Sequence, residues 1–237
     1  MLFETVKIIQ SMGLWKPRTV IWENVKGVLD CDMIHAFNEY IDSMKDMGYE
    51  TSFNVLNAMD FGIPQARERV FAISILNGRK FDFNLLDRKE TPLISEFLED
   101  NVTDKKYFIT IPSMTSKIPE INPGGIEGYS RMLSVIDTHC WTITERQDRC
   151  PNAGIIRMGH KRYRYLTERE VWRLMGFRDD DFNAALKEFP GREGFRNATL
   201  YSMAGNSIVV NVLEAIFKVL IVEGFIKDSN DKMKLIC

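Results

Sequence analysis

Three short apolar or alternating runs in the N-terminal part of the chain predict β-strands. The run Thr19–Trp22 is apolar throughout, which is typical of a strand buried on both faces. Residues 49–57 and 69–75 predict two further strands. Because helical stretches alternate with these strands, we expect an α/β layer with a mainly parallel sheet, in which the last strand pair could be antiparallel.

Amphipathic stretches predict the helices of this layer. Residues 2–12 form the first, and Gly13 marks its end. The second has apolar residues that recur at helical spacing: Ile34, Phe37, Ile41 and Met44. Asp32 is the expected N-cap of this second helix and Gly48 its stop.

The pattern changes from about Lys89 onward. Prolines and glycines interrupt the chain at Pro92, Pro112, Pro119, Pro123, Gly124, Gly125 and Gly128. Between them lie short β-like pieces at 107–110 and 140–143, which predict a small, irregular, β-rich insert over 89–163. Thr167 and Glu170 then predict a capping box, and Ser207 is the expected N-cap of a final amphipathic helix.

Composition and charge set broad limits. A chain of 237 residues with 45% hydrophobic and 27% charged residues is ordinary for a globular protein. The net charge of −2 gives no overall indication for or against binding of nucleic acid. The stretch 146–173, however, holds eight arginines and lysines against three acidic residues. Such a stretch can contact phosphates, or can be a solvated charged face.

Cysteine and histidine positions argue against a metal site. The four cysteines form no Cys-x-x-Cys pair, and the three histidines show no ligand spacing with them. We therefore expect no metal and reduced thiols in a cytoplasmic protein. We also expect no membrane association, because no signal pattern is visible and charged residues interrupt the most apolar run, 208–225.

Two short segments carry candidate chemistry near the predicted strands. Glu23 follows a buried strand, where α/β folds place ligands, although a residue there can also simply line a turn. Arg67 and Arg69 lie two residues apart, so an extended segment would project both guanidinium groups from one face. Such a pair suits a phosphate or a base carbonyl, or is a solvated strand edge.

A third segment, Gly205-Asn206-Ser207, precedes the predicted final helix. Exposed amides, the positive end of the helix dipole and two polar side chains would together suit a carboxylate such as that of an amino acid. The alternative is an ordinary helix cap.

Four motifs in order resemble the later motifs of the DNA (cytosine-5) methyltransferases. They are Glu23-Asn24-Val25, Gly62-Ile63-Pro64-Gln65-Ala66-Arg67-Glu68-Arg69, Arg164-Tyr165-Leu166-Thr167-Glu168-Arg169-Glu170, and Ala204-Gly205-Asn206-Ser207. The resemblance implies part of a doubly wound, Rossmann-like fold that uses S-adenosylmethionine, with a target-recognition insert. The implied domains are 1–88, the C-terminal half of the catalytic domain; 89–163, the target-recognition insert; and 164–237, a return segment whose final helix packs on the catalytic domain.

The resemblance also implies roles for individual residues. Glu23 would be the acid at ring N3 of a flipped cytosine and Arg69 the arginine at its carbonyl. Asn24 would hold the catalytic loop and Gly205 would be structural, while Asn206 and Ser207 would contact the cofactor. The remaining implied residues would contact the nucleic acid: Gln65, Arg67, Arg164 and the pair Thr142-Ile143, which resembles a Thr-Leu pair of the family.

The earlier motifs of that family are missing from these 237 residues. No Phe-x-Gly-x-Gly loop occurs, and none of the four cysteines follows a proline. We therefore expect duplex DNA as substrate and either a partner chain that carries both motifs or self-association. The alternatives are a non-catalytic DNA-binding remnant or regulatory module, and an RNA cytosine methyltransferase of the same fold.

Overall fold

The computed structural model describes residues 2–123 and 132–225. Gly124, Gly125 and Gly128 of the predicted insert, and 226–237 of the predicted return segment, lie outside these ranges. The helices and strands, in chain order, are α1 (Leu2–Ser11), β1 (Thr19–Val25), α2 (Ile34–Asp46), β2 (Tyr49–Asn57), β3 (Gln65–Ala66), β4 (Glu68–Leu76), α3 (Pro112–Thr115), β5 (Cys140–Trp141), β6 (Ile156–Gly159), β7 (Arg162–Arg164), α4 (Glu168–Arg173), α5 (Asp179–Glu188), α6 (Ala198–Gly205) and α7 (Val210–Val222).

The chain divides into two compact units. The first comprises 1–57, 68–88 and 212–237, and the second comprises 58–67 and 89–211. The predicted insert, 89–163, therefore lies within the second unit. The chain leaves the second unit and enters the first between Arg67 and Glu68.

A three-stranded sheet in the order β1-β4-β2 forms the first unit. All three predicted strands are confirmed, and β4 is buried from Val70 to Ile75 because it lies in the centre. The antiparallel last strand pair that the sequence allowed is present between β2 and β4, but the expected mainly parallel sheet is wrong for this part of the chain, since β4 pairs antiparallel with both neighbours. The physical reason is that no crossover helix lies between β2 and β4, and a parallel return needs one.

Aromatic packing attaches α2 to this sheet. Trp22 stacks on Phe37 and Tyr40 with ring centroids 5.3 and 5.5 Å apart. The helix ends as predicted, with Gly48 at φ +90°, a left-handed conformation that glycine adopts at little cost. The predicted N-cap is wrong: the cap position is Met33, without a side-chain hydrogen bond, rather than Asp32.

The second unit has little regular structure between residues 89 and 163. The predicted strand at 107–110 is absent; 105–107 form a 3-10 turn and Phe108 makes an isolated bridge to Arg164. The predicted strand at 140–143 is reduced to β5, which pairs in parallel with β3. The capping box of Thr167 and Glu170 is confirmed at the start of α4.

One stretch of the described residues, Ala198–Val222, has the length and hydropathy of a membrane span. It consists of two helices, α6 and α7, which are separated by residues 206–209. Core helices of the same length and composition pass the same test, so the stretch does not establish a span.

Gly205, at the end of α6, lies against the chain at Thr144 and Glu145. A Cβ atom built on Gly205 would come closer to the backbone of both residues than van der Waals contact permits. Because backbone cannot move aside as a flexible side chain does, the close approach requires glycine.

We predict that Gly205→Ala lowers the free energy of unfolding by about 1–3 kcal/mol through overpacking. The matched control is Gly27→Ala, whose added Cβ would meet only the end of the Asp30 side chain, at 3.3 Å. Denaturant unfolding of the two variants measures the difference. Equal stability of the two would contradict the required close approach.

Candidate active site

Glu23 and Arg69 form an ion pair across two neighbouring strands of the first unit. Glu23 lies on β1, and Arg69 is opposite Val25 at the start of β4. Arg69 Nε lies 3.2 Å from Glu23 Oε1, and the two side chains are 17% and 19% exposed. Burial lowers the pKa of Arg69, and the Glu23 carboxylate opposes that shift. The structure therefore brings the two candidate catalytic residues together, partly open to solvent.

Asn24 makes a local contact. Its Oδ1 accepts a hydrogen bond from the Val25 amide at 2.8 Å. This contact fixes the end of β1 beside Glu23.

Gln65 is fully buried and links two distant parts of the second unit. Its Nε2 donates to the Leu174 carbonyl at 2.7 Å, and its Oε1 accepts from the Ile143 amide at 3.0 Å. An amide so engaged has no surface to offer a nucleic acid. The expected nucleic-acid contact is replaced by an internal bridge.

Arg67 is also buried, with 5% exposure. Its guanidinium donates to the carbonyls of Ile143, at 2.8 Å, and Ser207, at 3.1 Å. The extended run is interrupted at Arg67, between β3 and β4, so Arg67 and Arg69 do not share the partners that a common face would provide. Arg67 is directed at protein carbonyls of the second unit, and Arg69 at a carboxylate of the first.

Thr142 and Ile143 complete this internal cluster. Thr142 Oγ1 donates to the Ala66 carbonyl at 3.0 Å, and Ile143 has no exposed surface. The Ile143 amide and carbonyl form hydrogen bonds with the side chains of Gln65 and Arg67. Because they bond to side chains instead of to a neighbouring strand, β5 ends at Trp141. A buried Ile143 cannot touch a base in this structure.

The predicted cofactor residues lie at the end of a helix rather than at the start of one. Asn206 is the C-cap of α6, and α7 begins only at Val210. Ser207 Oγ donates back to the Met203 carbonyl at 2.6 Å, and Asn206 Nδ2 to Ser202 Oγ at 3.3 Å. The expected N-cap at Ser207 is therefore wrong, and the dipole argument for an anion no longer applies. The exposed Asn206 amide remains accessible.

Arg164 is held by a bidentate ion pair with Glu170. The two pairs of atoms are 2.8 and 2.7 Å apart, and the side chains are 6% and 0% exposed. Glu170 also accepts from the amides of Thr167 and Glu99. Arg164 is thus engaged inside the second unit rather than directed at phosphate. The sequence shows Glu170 as a capping residue, but nothing in its spacing identifies this second role.

Among residues 2–123 and 132–225, no group of three or more potential metal-binding side chains is found. The polar clusters described above consist of ion pairs and hydrogen bonds. Their side chains donate protons or hydrogen bonds, mostly to carbonyl and carboxylate oxygens.

We predict that Arg67→Met destabilises the protein by about 1–3 kcal/mol, because it leaves buried carbonyls without a donor. The control is Arg162→Met, at an exposed position on β7. Denaturant unfolding measures both variants. A phosphate-binding role would instead leave stability unchanged and reduce the salt dependence of nucleic-acid binding.

Comparison with known proteins gives one consistent family. The family model described as C-5 cytosine-specific DNA methylase matches residues 1–222. The type II methyltransferase M2.ScrFI of Lactococcus lactis subsp. cremoris is 35% identical over 93% of the chain, which spans 58% of that relative's length. The orphan methyltransferase M.SPBetaI of Bacillus phage SPbeta is 26% identical over 93% of the chain and 69% of its own length.

Solved structures show the same fold. The Dnmt2 methyltransferase of S. pombe superposes with a TM-score of 0.69 at 20% identity, over 94% of this chain and 70% of that one. The methyltransferase EhMeth of Entamoeba histolytica gives 0.68 at 17% identity, over 96% and 70%. Since the family model covers nearly the whole chain, the chain belongs to the C-5 cytosine-specific DNA methylase family.

Proposed function

We propose that this chain is the part of a DNA (cytosine-5) methyltransferase that holds a flipped cytosine during methyl transfer from S-adenosylmethionine. The observation that carries the proposal is the Glu23–Arg69 ion pair. It places a carboxyl group and a guanidinium 3.2 Å apart, partly exposed, at the end of a strand. Together the two groups can form hydrogen bonds with adjacent ring positions of one base.

Each group has a distinct task in this reaction. Carbon 5 of cytosine becomes reactive when a thiolate adds to carbon 6, and that addition places negative charge on the ring. Glu23 would donate a proton or hydrogen bond to ring N3 and so neutralise this charge. Arg69 would donate to the carbonyl at ring position 2 and hold Glu23 in place.

S-adenosylmethionine would supply the methyl group. The residues that could contact S-adenosylmethionine fit it in part. The exposed side-chain amide of Asn206 donates one N–H to Ser202, and its second N–H could bind a carboxylate. Ser207 offers only the remaining lone pairs of a hydroxyl that already donates to Met203. The other contacts would come from a Phe-x-Gly-x-Gly loop, which is not among these 237 residues.

The thiolate must also come from elsewhere, because no cysteine here follows a proline. We propose that a separate polypeptide carries both motifs and adds a strand to the free edge of β1. In support, β1 pairs only with β4 among the described strands, although its sequence is that of an interior strand. An apolar strand left at an edge is a liability for aggregation.

We predict that Glu23→Gln lowers the rate of methyl transfer by about 10²–10⁴-fold in the complete enzyme, since the amide cannot donate a proton to N3. Methyl transfer from labelled S-adenosylmethionine measures the rate. The loss of a partly exposed ion pair should cost about 1 kcal/mol of stability or less, so folding should persist.

The matched control for this variant is Glu50→Gln, at an exposed position of β2. It removes the same charge from the first unit and should leave the rate unchanged. An unaltered rate in Glu23→Gln would contradict the assignment of the acid.

We predict that this chain alone transfers no methyl group to duplex DNA, and that activity appears when it is co-expressed with a polypeptide carrying the Pro-Cys and Phe-x-Gly-x-Gly motifs. Labelled S-adenosylmethionine with duplex DNA measures both. Activity from this chain alone would contradict the need for a second polypeptide. No activity in the pair, together with salt-dependent DNA binding, would favour a remnant; transfer to RNA in preference to DNA would favour the RNA enzyme.

A further inference from the structure

A cavity of about 360 Å³ lies within the second unit, and neither Gln65 nor Arg67 lines it. Apolar side chains of Met114, Leu133 and Pro151 line it together with the indole of Trp141. The cationic residues Lys117 and Arg149 line it as well. Apolar and aromatic walls with cationic groups beside them suit a flat ring that carries an anion.

Trp141 is 53% exposed, yet its ring is held in place. The indole Nε1 donates to Ser134 Oγ at 3.1 Å. The His139 ring approaches it edge-on, with centroids 5.6 Å apart and planes at 72°. The backbone of Trp141 belongs to β5, which pairs with β3. An exposed indole fixed by these contacts is a preorganised stacking surface.

Arg149 supplies a positive charge that no carboxylate of residues 2–123 and 132–225 pairs with. It is exposed. Arg146, three residues away, is paired with Glu145. Of these two arginines, only Arg149 lines the cavity.

We propose that this cavity binds one unstacked nucleobase of the DNA substrate, with its phosphate, in addition to the cytosine that is methylated. The base stacks on Trp141 and the phosphate pairs with Arg149. This inference rests on the proposed function for its nucleic-acid substrate. It adds a second base-binding site, which would contribute to the choice of substrate.

The test uses the full chain and fluorescence anisotropy of a labelled, mixed-sequence single strand of about 12 nucleotides, within the range of site sizes for single-strand binding. An abasic strand of equal length keeps the phosphates and removes the bases. Trp141→Ala should weaken binding of the base-bearing strand roughly 5- to 140-fold, the equivalent of about 1–3 kcal/mol per stacked base. It should leave the abasic strand unaffected, and Trp141→Phe should retain most of the affinity.

Matched controls lie in the same chain. Trp15→Ala removes an indole that is 88% exposed and does not line the cavity, and should not change binding. Arg149→Gln should weaken both strands, and Arg146→Gln should weaken them less.

Equal affinities of Trp141→Ala and Trp15→Ala for the base-bearing strand would overturn the proposal. So would a loss of affinity in Trp141→Ala that is the same for the abasic strand, since that loss would not involve a base. The assay contains neither S-adenosylmethionine nor a partner polypeptide. It therefore reports on the cavity even where methyl transfer fails.

Discussion

The second unit depends on hydrogen bonds from two buried side chains to the backbone N–H and C=O of a single residue, Ile143. The ladder between β3 and β5 is only two residues long, and the Gln65 amide and the Arg67 guanidinium extend it by bonding the next N–H and C=O. Burying a charge is costly unless its donors are satisfied. The Ser207 carbonyl provides a second acceptor for Arg67, so the same side chain also fixes the turn that follows α6.

This constraint changes the meaning of the motif Gln65-x-Arg67-x-Arg69. Read as a sequence, it offers three polar side chains to a ligand. In the structure, two of the three are directed at backbone of the second unit, and only Arg69 meets a carboxylate. A residue type can suit phosphate and carbonyl equally well, because a guanidinium donates to both. What decides between them is burial, which depends on residues more than 70 positions away.

The structure separates what local sequence can predict from what it cannot. The strands at 49–57 and 69–75 and the stop of α2 at Gly48 are confirmed, because apolar runs and glycine act locally. The predicted parallel direction of the strands is wrong, because strand direction depends on the connection between two strands, here the lack of a crossover helix between β2 and β4, rather than on the sequence of any one strand. The predicted start of α7 at Ser207 is wrong, because the Ser207 hydroxyl donates a hydrogen bond back to the Met203 carbonyl. This use of serine competes with helix capping. The resemblance assigns Glu23 and Arg69 to the same base, but their direct ion pair is seen only in the structure.

The register of β1 against β4 determines which backbone groups of β1 are unpaired. The Arg18 carbonyl accepts from the Leu76 amide, so in an antiparallel pair the peptides of Val20, Trp22 and Asn24 face β4. Those of Thr19, Ile21 and Glu23 face the other way. Any strand added at this edge would pair with the backbone of Glu23 itself, while the Glu23 side chain stays with Arg69. The residue that we assign to acid catalysis therefore has its backbone at the one edge of β1 that the described strands leave open.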